Sequence, residues 1–320
     1  MKKLLFKCAL LALLVGALLY GGGAAYRRTT AYLNLERTEN TEKFRDMPES
    51  IDIAVFGSSH GVEDFKKAPE RAVMFNFALS SQTPVYDLHL MRQYQDRIRP
   101  GALVVLTVSP LHPFYLQSED TFSKLQPRYY RILSPRNIVD VDLWYFLRIR
   151  YLPLLAMDVS QIAAAFFKPP EPVLTSEQQS RDQQLDPEEI PAEKKRIHRD
   201  HIAPEITTFP EESPSMVNAY REMLALCRER GWRAVLVTPP YPAAYLDCYT
   251  EYDPAFFSTL NRWMDELCRT YGVEWLDYSH DPTFAERYDL YKDIDHLNLE
   301  GAAVFNRQFF ADVQSLGSWQ

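Results

Sequence analysis

Five short runs of unbroken apolar residues constrain this chain more than anything else in it: 51–57 (IDIAVFG), 73–79 (VMFNFAL), 102–108 (ALVVLTV), 233–238 (RAVLVT) and 273–277 (VEWLD). Continuous rather than alternating apolarity belongs to parallel strands covered on both faces. Helix starts lie between them. Thr83-Pro84, Ser213-Pro214 and Asp253-Pro254 each set a capping residue before a proline at a first helical position, predicting helices over 84–98, 214–230 and 254–271. Gly101 and Gly272 are expected to end two of these helices in a left-handed turn. Asn298 is expected to cap a last helix over 299–315. Strand and helix therefore alternate, which predicts an α/β fold: a doubly wound parallel sheet of three layers, flavodoxin-like. Such sheets place ligands beyond the carboxyl ends of their strands.

The alternation breaks between the third and fourth strands. Residues 111–212 form an insertion, aromatic and aliphatic up to Phe167 and therefore largely helical, then rich in Pro, Glu, Gln and Lys over 168–212. We read the insertion as a cap over the site; packing against the sheet's flank or lying at a membrane surface are the other placements its composition allows. The expected organisation is 1–28 anchor or signal segment, 29–50 linker, 51–110 with 213–320 the α/β domain, and 111–212 the cap with its polar excursion.

The first 28 residues set lysines ahead of an uncharged apolar run from Cys8 to Tyr26. As a helix that run spans about 28 Å, close to the hydrocarbon thickness of a bilayer. It fits an uncleaved transmembrane anchor, which its length favours, or a secretory signal cleaved near "GAA". Either reading exports the body, single-pass on the extracytoplasmic side of a bacterial cell membrane or secreted. The chain's net charge of −8 conceals five basic residues and no acids in 1–28, leaving −13 for the rest. A body that acidic has no electrostatic footprint for nucleic acid. Cys227, Cys248 and Cys268 lack metal-ligand spacing, so no metal and no cofactor is expected from them. His198 and His201 in "HRDH" read as solvated residues of the excursion rather than as ligands.

The chemistry concentrates at two places. "GSSH" (57–60) ends the first strand, and "YKDIDHLNLEGA" (291–302) sets Asp293 three residues before His296, just ahead of the last helix. A carboxylate that orients an imidazole, and a serine that the imidazole can deprotonate, are the parts of a nucleophilic acyl-transfer site. Asp295 adjoins His296, but neighbouring side chains diverge in a loop, so Asp293 is the expected orienter. His60 follows the serine and either lines the pocket or is solvated. "TPPYP" (238–242) is expected as a rigid loop at the rim.

In this order and at these places, the two blocks resemble those of the SGNH/GDSL hydrolase superfamily, whose first block ends strand one with Gly-x-Ser and whose last is Asp-x-x-His. The closer likeness is to its membrane-anchored cell-envelope branch, which includes the D-alanyl-lipoteichoic-acid and alginate O-acetylation proteins. The resemblance covers roughly 51–110 and 216–315. It implies Ser59 as nucleophile, His296 as base and Asp293 as its partner. It also implies an esterase or O-acyltransferase acting on an acylated or acceptor envelope glycan, with a membrane-bound O-acyltransferase as a further partner. In "NFALSSQT" (76–83) the second block keeps Asn76 and has Ser81 where the family's oxyanion glycine falls. The third block, Gly-x-Asn-Asp, is replaced by "TVSPLHPF" (107–114), leaving Ser109 or His112 to substitute. Losing one oxyanion donor typically costs about 2.7–4 kcal/mol of transition-state stabilisation. A catalytically weak relative that binds glycan or docks on an acyltransferase is the alternative.

Overall fold

The computed structural model describes residues 1–115, 119–168, 183–203, 206 and 208–317, with only the backbone of 119–125. The fold is α/β, around one sheet of five parallel strands: β1 (Ile51–Phe56), β2 (Met74–Asn76), β3 (Ile98–Thr107), β4 (Arg233–Thr238) and β5 (Glu274–Asp277). They run in the order β2-β1-β3-β4-β5. β1, β3 and β4 are the inner strands, and Ile53 through Phe56 and Ala102 through Val105 have no solvent exposure, which is why their sequences are apolar without alternation. The order reverses between β1 and β3, paired to the register Phe56 opposite Leu106. The loops after Phe56 and Thr107 therefore open at the topological switch point, where doubly wound sheets bind ligands.

The α/β body also contains α3 (Ser59–Asp64), α4 (Pro84–Tyr94), α8 (Ile190–Ile197), α9 (Pro214–Arg230), α10 (Ala243–Tyr252), α11 (Phe256–Tyr271), α12 (Pro282–Ala285) and α13 (Leu299–Ser315). The proline starts hold for α4 and α9. At the third, Asp253 Oδ1 instead accepts the N–H of Ala255 at 2.7 Å, and the helix begins at Phe256. Gly272 ends α11 in the left-handed conformation (φ 64°). Gly101 (φ 75°) does not end a helix. α4 stops at Tyr94, a 3-10 turn follows over Gln95–Arg97, and β3 starts at Ile98, so Gly101 sits inside the strand, where the register against β1 shifts. Arg99-Pro100-Gly101 produces this kink because proline cannot donate to the ladder. α10 follows "TPPYP" directly and was not anticipated.

The second unit comprises 1–46 with the described residues of 119–175; residues 47–118 with 176–320 make up the α/β body. This unit contains α1 (Lys2–Tyr26), α2 (Thr30–Thr38), α5 (Glu119–Ile132), α6 (Leu143–Tyr151) and α7 (Val159–Phe167). α1 is 25 residues long with a mean hydropathy of 2.2, long and apolar enough to cross a membrane. Two segments differ from expectation. The stretch expected as a linker carries α2, and the insertion divides between the two units instead of forming one cap. The described part of the polar excursion is helical over 187–202, because Asp186 caps the turn that leads into α8 and its side chain accepts the N–H of Glu188.

Candidate active site

Gly57 begins the site. Its φ of 141° belongs to glycine alone, and a Cβ there would lie 1.6 Å from Thr107 Oγ1 on the neighbouring strand. Asp87 Oδ1 accepts the Gly57 N–H at 2.8 Å, and Gln82 Nε2 donates to the same oxygen at 2.7 Å. With the turn held this way, Ser58 is left extended as the N-cap and Ser59 becomes the first residue of α3, half-buried. α3 approaches the sheet closely because Gly61 has no side chain: a Cβ there would meet Ala78 Cβ at 2.7 Å. Asn76 holds α3 in place. Its amide donates to Gly61 O (2.6 Å) and Phe65 O (3.2 Å), so both hydrogens serve the fold.

The second half of the site is a local turn. Asp293 Oδ1 accepts the backbone N–H groups of Asp295 (3.1 Å) and His296 (2.8 Å). The same carboxylate then reaches the His296 ring, with Oδ1 and Oδ2 at 3.0 and 3.1 Å from Nδ1. Nδ1 therefore carries a hydrogen, so that when the ring is neutral Nε2 is the nitrogen with the lone pair. Nε2 is buried and has no hydrogen-bond partner among the described residues.

Three contacts dock this loop on α3. Lys292 pairs with Glu63 at 3.1 Å, the His60 Nε2–H donates to Asp295 O at 2.8 Å, and the rings of His60 and His296 stack with centroids 4.9 Å apart. Ser59 and His296 thus sit on adjoining elements, and no hydrogen bond joins them in this structure. Catalytic hydrogen bonds commonly tighten only when substrate is bound.

Charge in the site is unevenly held. Burial pushes the His296 imidazole down, but the carboxylates of Asp295 and Asp293 outweigh it and hold its pKa well above the ordinary value. Asp295, 4% exposed, lies 3.3 Å from His296 Nδ1 and is also paired with Arg196 of α8 at 3.2 Å. Burial works against its carboxylate, yet the His296 charge prevails and keeps it well below the usual range. Burial and the neighbouring His296 push His60 down to about 3, so it is neutral, and its Nδ1 is buried without a partner among the described residues. Asp64, 1% exposed, has neither carboxyl oxygen hydrogen-bonded among the described residues; burial raises its pKa well above the usual range.

Ser109 and His112 lie past the end of β3 and bond to each other, the Ser109 N–H donating to His112 Nδ1 at 3.3 Å. Tyr220 OH lies 2.8 Å from the same nitrogen. Burial pushes His112 down to about 4, and the buried Ser109 hydroxyl lies beside the hydroxyl of Tyr241. Ser81 is exposed with φ 55° in the turn Leu79–Gln82, the conformation a glycine adopts readily. Tyr241, expected at the rim, is fully buried with its ring edge-on to His60 at 5.0 Å.

The donor atoms of His60, Asp295 and His296 lie within 4.8 Å of one another, close enough to share a small cation. Arg196 already occupies the same carboxylate, and its permanent charge disfavours a second cation there. Sequence reasoning missed Asp64, Arg196 and the role of Asp295. "DIDH" held a signal for the last of these, while Arg196 comes from a polar stretch with none. No protein-family model matches this chain, and no curated protein sequence does either.

Proposed function

We propose that this protein is a membrane-anchored, extracytoplasmic serine esterase or O-acyltransferase of the SGNH type, acting on cell-envelope polysaccharide. One observation carries the reading: His296 is tied through Nδ1 to Asp293 and keeps a buried, unpartnered Nε2, on a loop packed against the helix that Ser59 opens. In this reading His296 Nε2 takes the Ser59 proton as Oγ attacks the acyl carbonyl. The tetrahedral adduct collapses, its alkoxide leaves with that proton, and an acyl-serine remains. Water or a sugar hydroxyl then gives its proton to Nε2 as its oxygen attacks the acyl carbonyl, and the bond to Ser59 Oγ breaks as Nε2 returns the proton to that oxygen. The first-turn N–H groups of α3 have no carbonyl within their own helix to bond and are the donors this reading assigns to the oxyanion. The N-terminal helix and the family resemblance support the envelope setting.

A catalytically weak binder of envelope glycan, or of a membrane-bound O-acyltransferase, is the second reading, favoured by the missing third-block asparagine and the open Ser59–His296 gap. Intact-mass analysis of the full chain in detergent after fluorophosphonate treatment separates the two. A single adduct, abolished by Ser59→Ala and by His296→Ala, is the expected result. Folded protein that takes up no adduct would sink the enzyme reading.

A further inference from the structure

α7 reads VSQIAAAFF, with Ser160 and Gln161 its only polar side chains, yet Val159 and Phe167 are 82% and 83% exposed. A helix apolar almost all round belongs in a protein core or in lipid, not in water. α6 behaves in the same way, with Leu143, Trp144, Leu147 and Tyr151 at helical spacing and all exposed.

Their place in the fold indicates what covers them. The turn between α6 and α7, Pro153–Ala156, is pressed against the carboxyl-terminal end of α1, the helix long enough to span a bilayer. The approach is close because α1 has glycines there: a Cβ on Gly22 would meet Leu154 Cδ1 at 2.7 Å, and one on Gly23 would meet Pro153 Cδ at 2.9 Å. Arg27, just past α1, also donates to the carbonyl of Arg150. The exposed apolar face thus starts where α1 ends, at the level where a spanning helix leaves the hydrocarbon. Basic residues belong to the same elements: Arg27 and Arg28 follow α1, Arg148 and Arg150 lie in α6, and Lys168 follows α7. Trp144 and Tyr151 are the ring types that concentrate at such an interface.

We infer that α6 and α7 form an interfacial anchor, lying in the headgroup and upper acyl region of an anionic bilayer beside the exit of α1. The unit then grips the membrane by one spanning helix and two surface helices. This placement does not depend on the reaction proposed above.

The test uses the full chain reconstituted in vesicles of phosphatidylcholine and phosphatidylglycerol, with a trace of phospholipid carrying a photoreactive diazirine in its acyl chain. Peptide mapping after illumination is expected to find lipid adducts on α1 and also on 143–151 and 159–167. The double substitution Val159→Arg with Phe167→Arg is expected to leave the α1 adducts in place and reduce those on α7 at least tenfold. Adducts confined to α1 in the unaltered chain would overturn the inference, and would mean that another protein, or a second copy of this one, covers the face.

Discussion

His60 and His296, which are 236 positions apart in the chain, lie nearly face to face, with ring planes 21° apart and centroids separated by 4.9 Å. The residue after the proposed nucleophile thus forms one wall for the proposed base. Their states are opposed: burial and the charge of His296 keep His60 neutral, while two carboxylates favour the cation on His296. A neutral ring is the only partner that His296 can stack on without like-charge repulsion.

The raised pKa of His296 has a signed consequence for activity. Only the neutral imidazole can accept the Ser59 proton, so kcat/KM for an acyl ester should rise with pH through a midpoint above about 6.5, the ordinary histidine value. The charge of Asp295 is the largest single cause that raises the His296 pKa. Asp295→Asn should therefore move the midpoint to lower pH. A pH profile of the variant with an unmoved midpoint would remove Asp295 from this role.

Gly57→Ala should be among the most damaging single changes. It combines a φ that alanine does not hold with a Cβ placed inside Thr107. Backbone strain and overpacking each cost about 1–3 kcal/mol, so a total loss of about 3 kcal/mol or more is expected in chemical denaturation. Substituting Gly101, whose φ is also positive but where a Cβ meets nothing, should cost only the backbone strain.

Asp64 should behave as a stability liability at alkaline pH. Its folded pKa lies above the unfolded value, so the stability it contributes is present in acid and is lost as pH rises through the folded pKa. Asp64→Asn retains the shape without the charge and should unfold at a higher temperature than wild type near about pH 8, with the gap closing toward about pH 4. Thermal unfolding across that range is the check, and an asparagine variant that is less stable at every pH would contradict it.

His112 and His60 act at the acid end. Their folded pKa values, about 4 and about 3, lie below the unfolded value, so the unfolded chain takes up protons that the folded one refuses. Stability should fall as pH drops from about 6.5 to about 4, by about 1.4 kcal/mol per pH unit for each group. The difference between wild type and His112→Gln isolates one of them. It should shrink steadily over that window.

What the sequence determined by itself is local or periodic. The parallel strands announce themselves by unbroken apolarity, α4 and α9 by their proline starts, and α13 by Asn298, whose side chain accepts the N–H of Gly301 at 2.9 Å. Asp293 and His296 are legible for the same reason, since a carboxylate three residues before a histidine closes a turn on it without help from the rest of the chain. Tertiary structure decided the remainder. Gly101 reads as a helix end and is a strand kink, because pairing with β1 outweighs the local turn signal. Asn76 reads as a site residue and is committed to holding α3. The raised pKa values of His296 and Asp64 and the neutrality of His60 follow from burial and from charges brought in by α3, α8 and the 291–298 loop. Burial and long-range Coulomb forces leave no periodic trace in a sequence, and only the folded chain sets them.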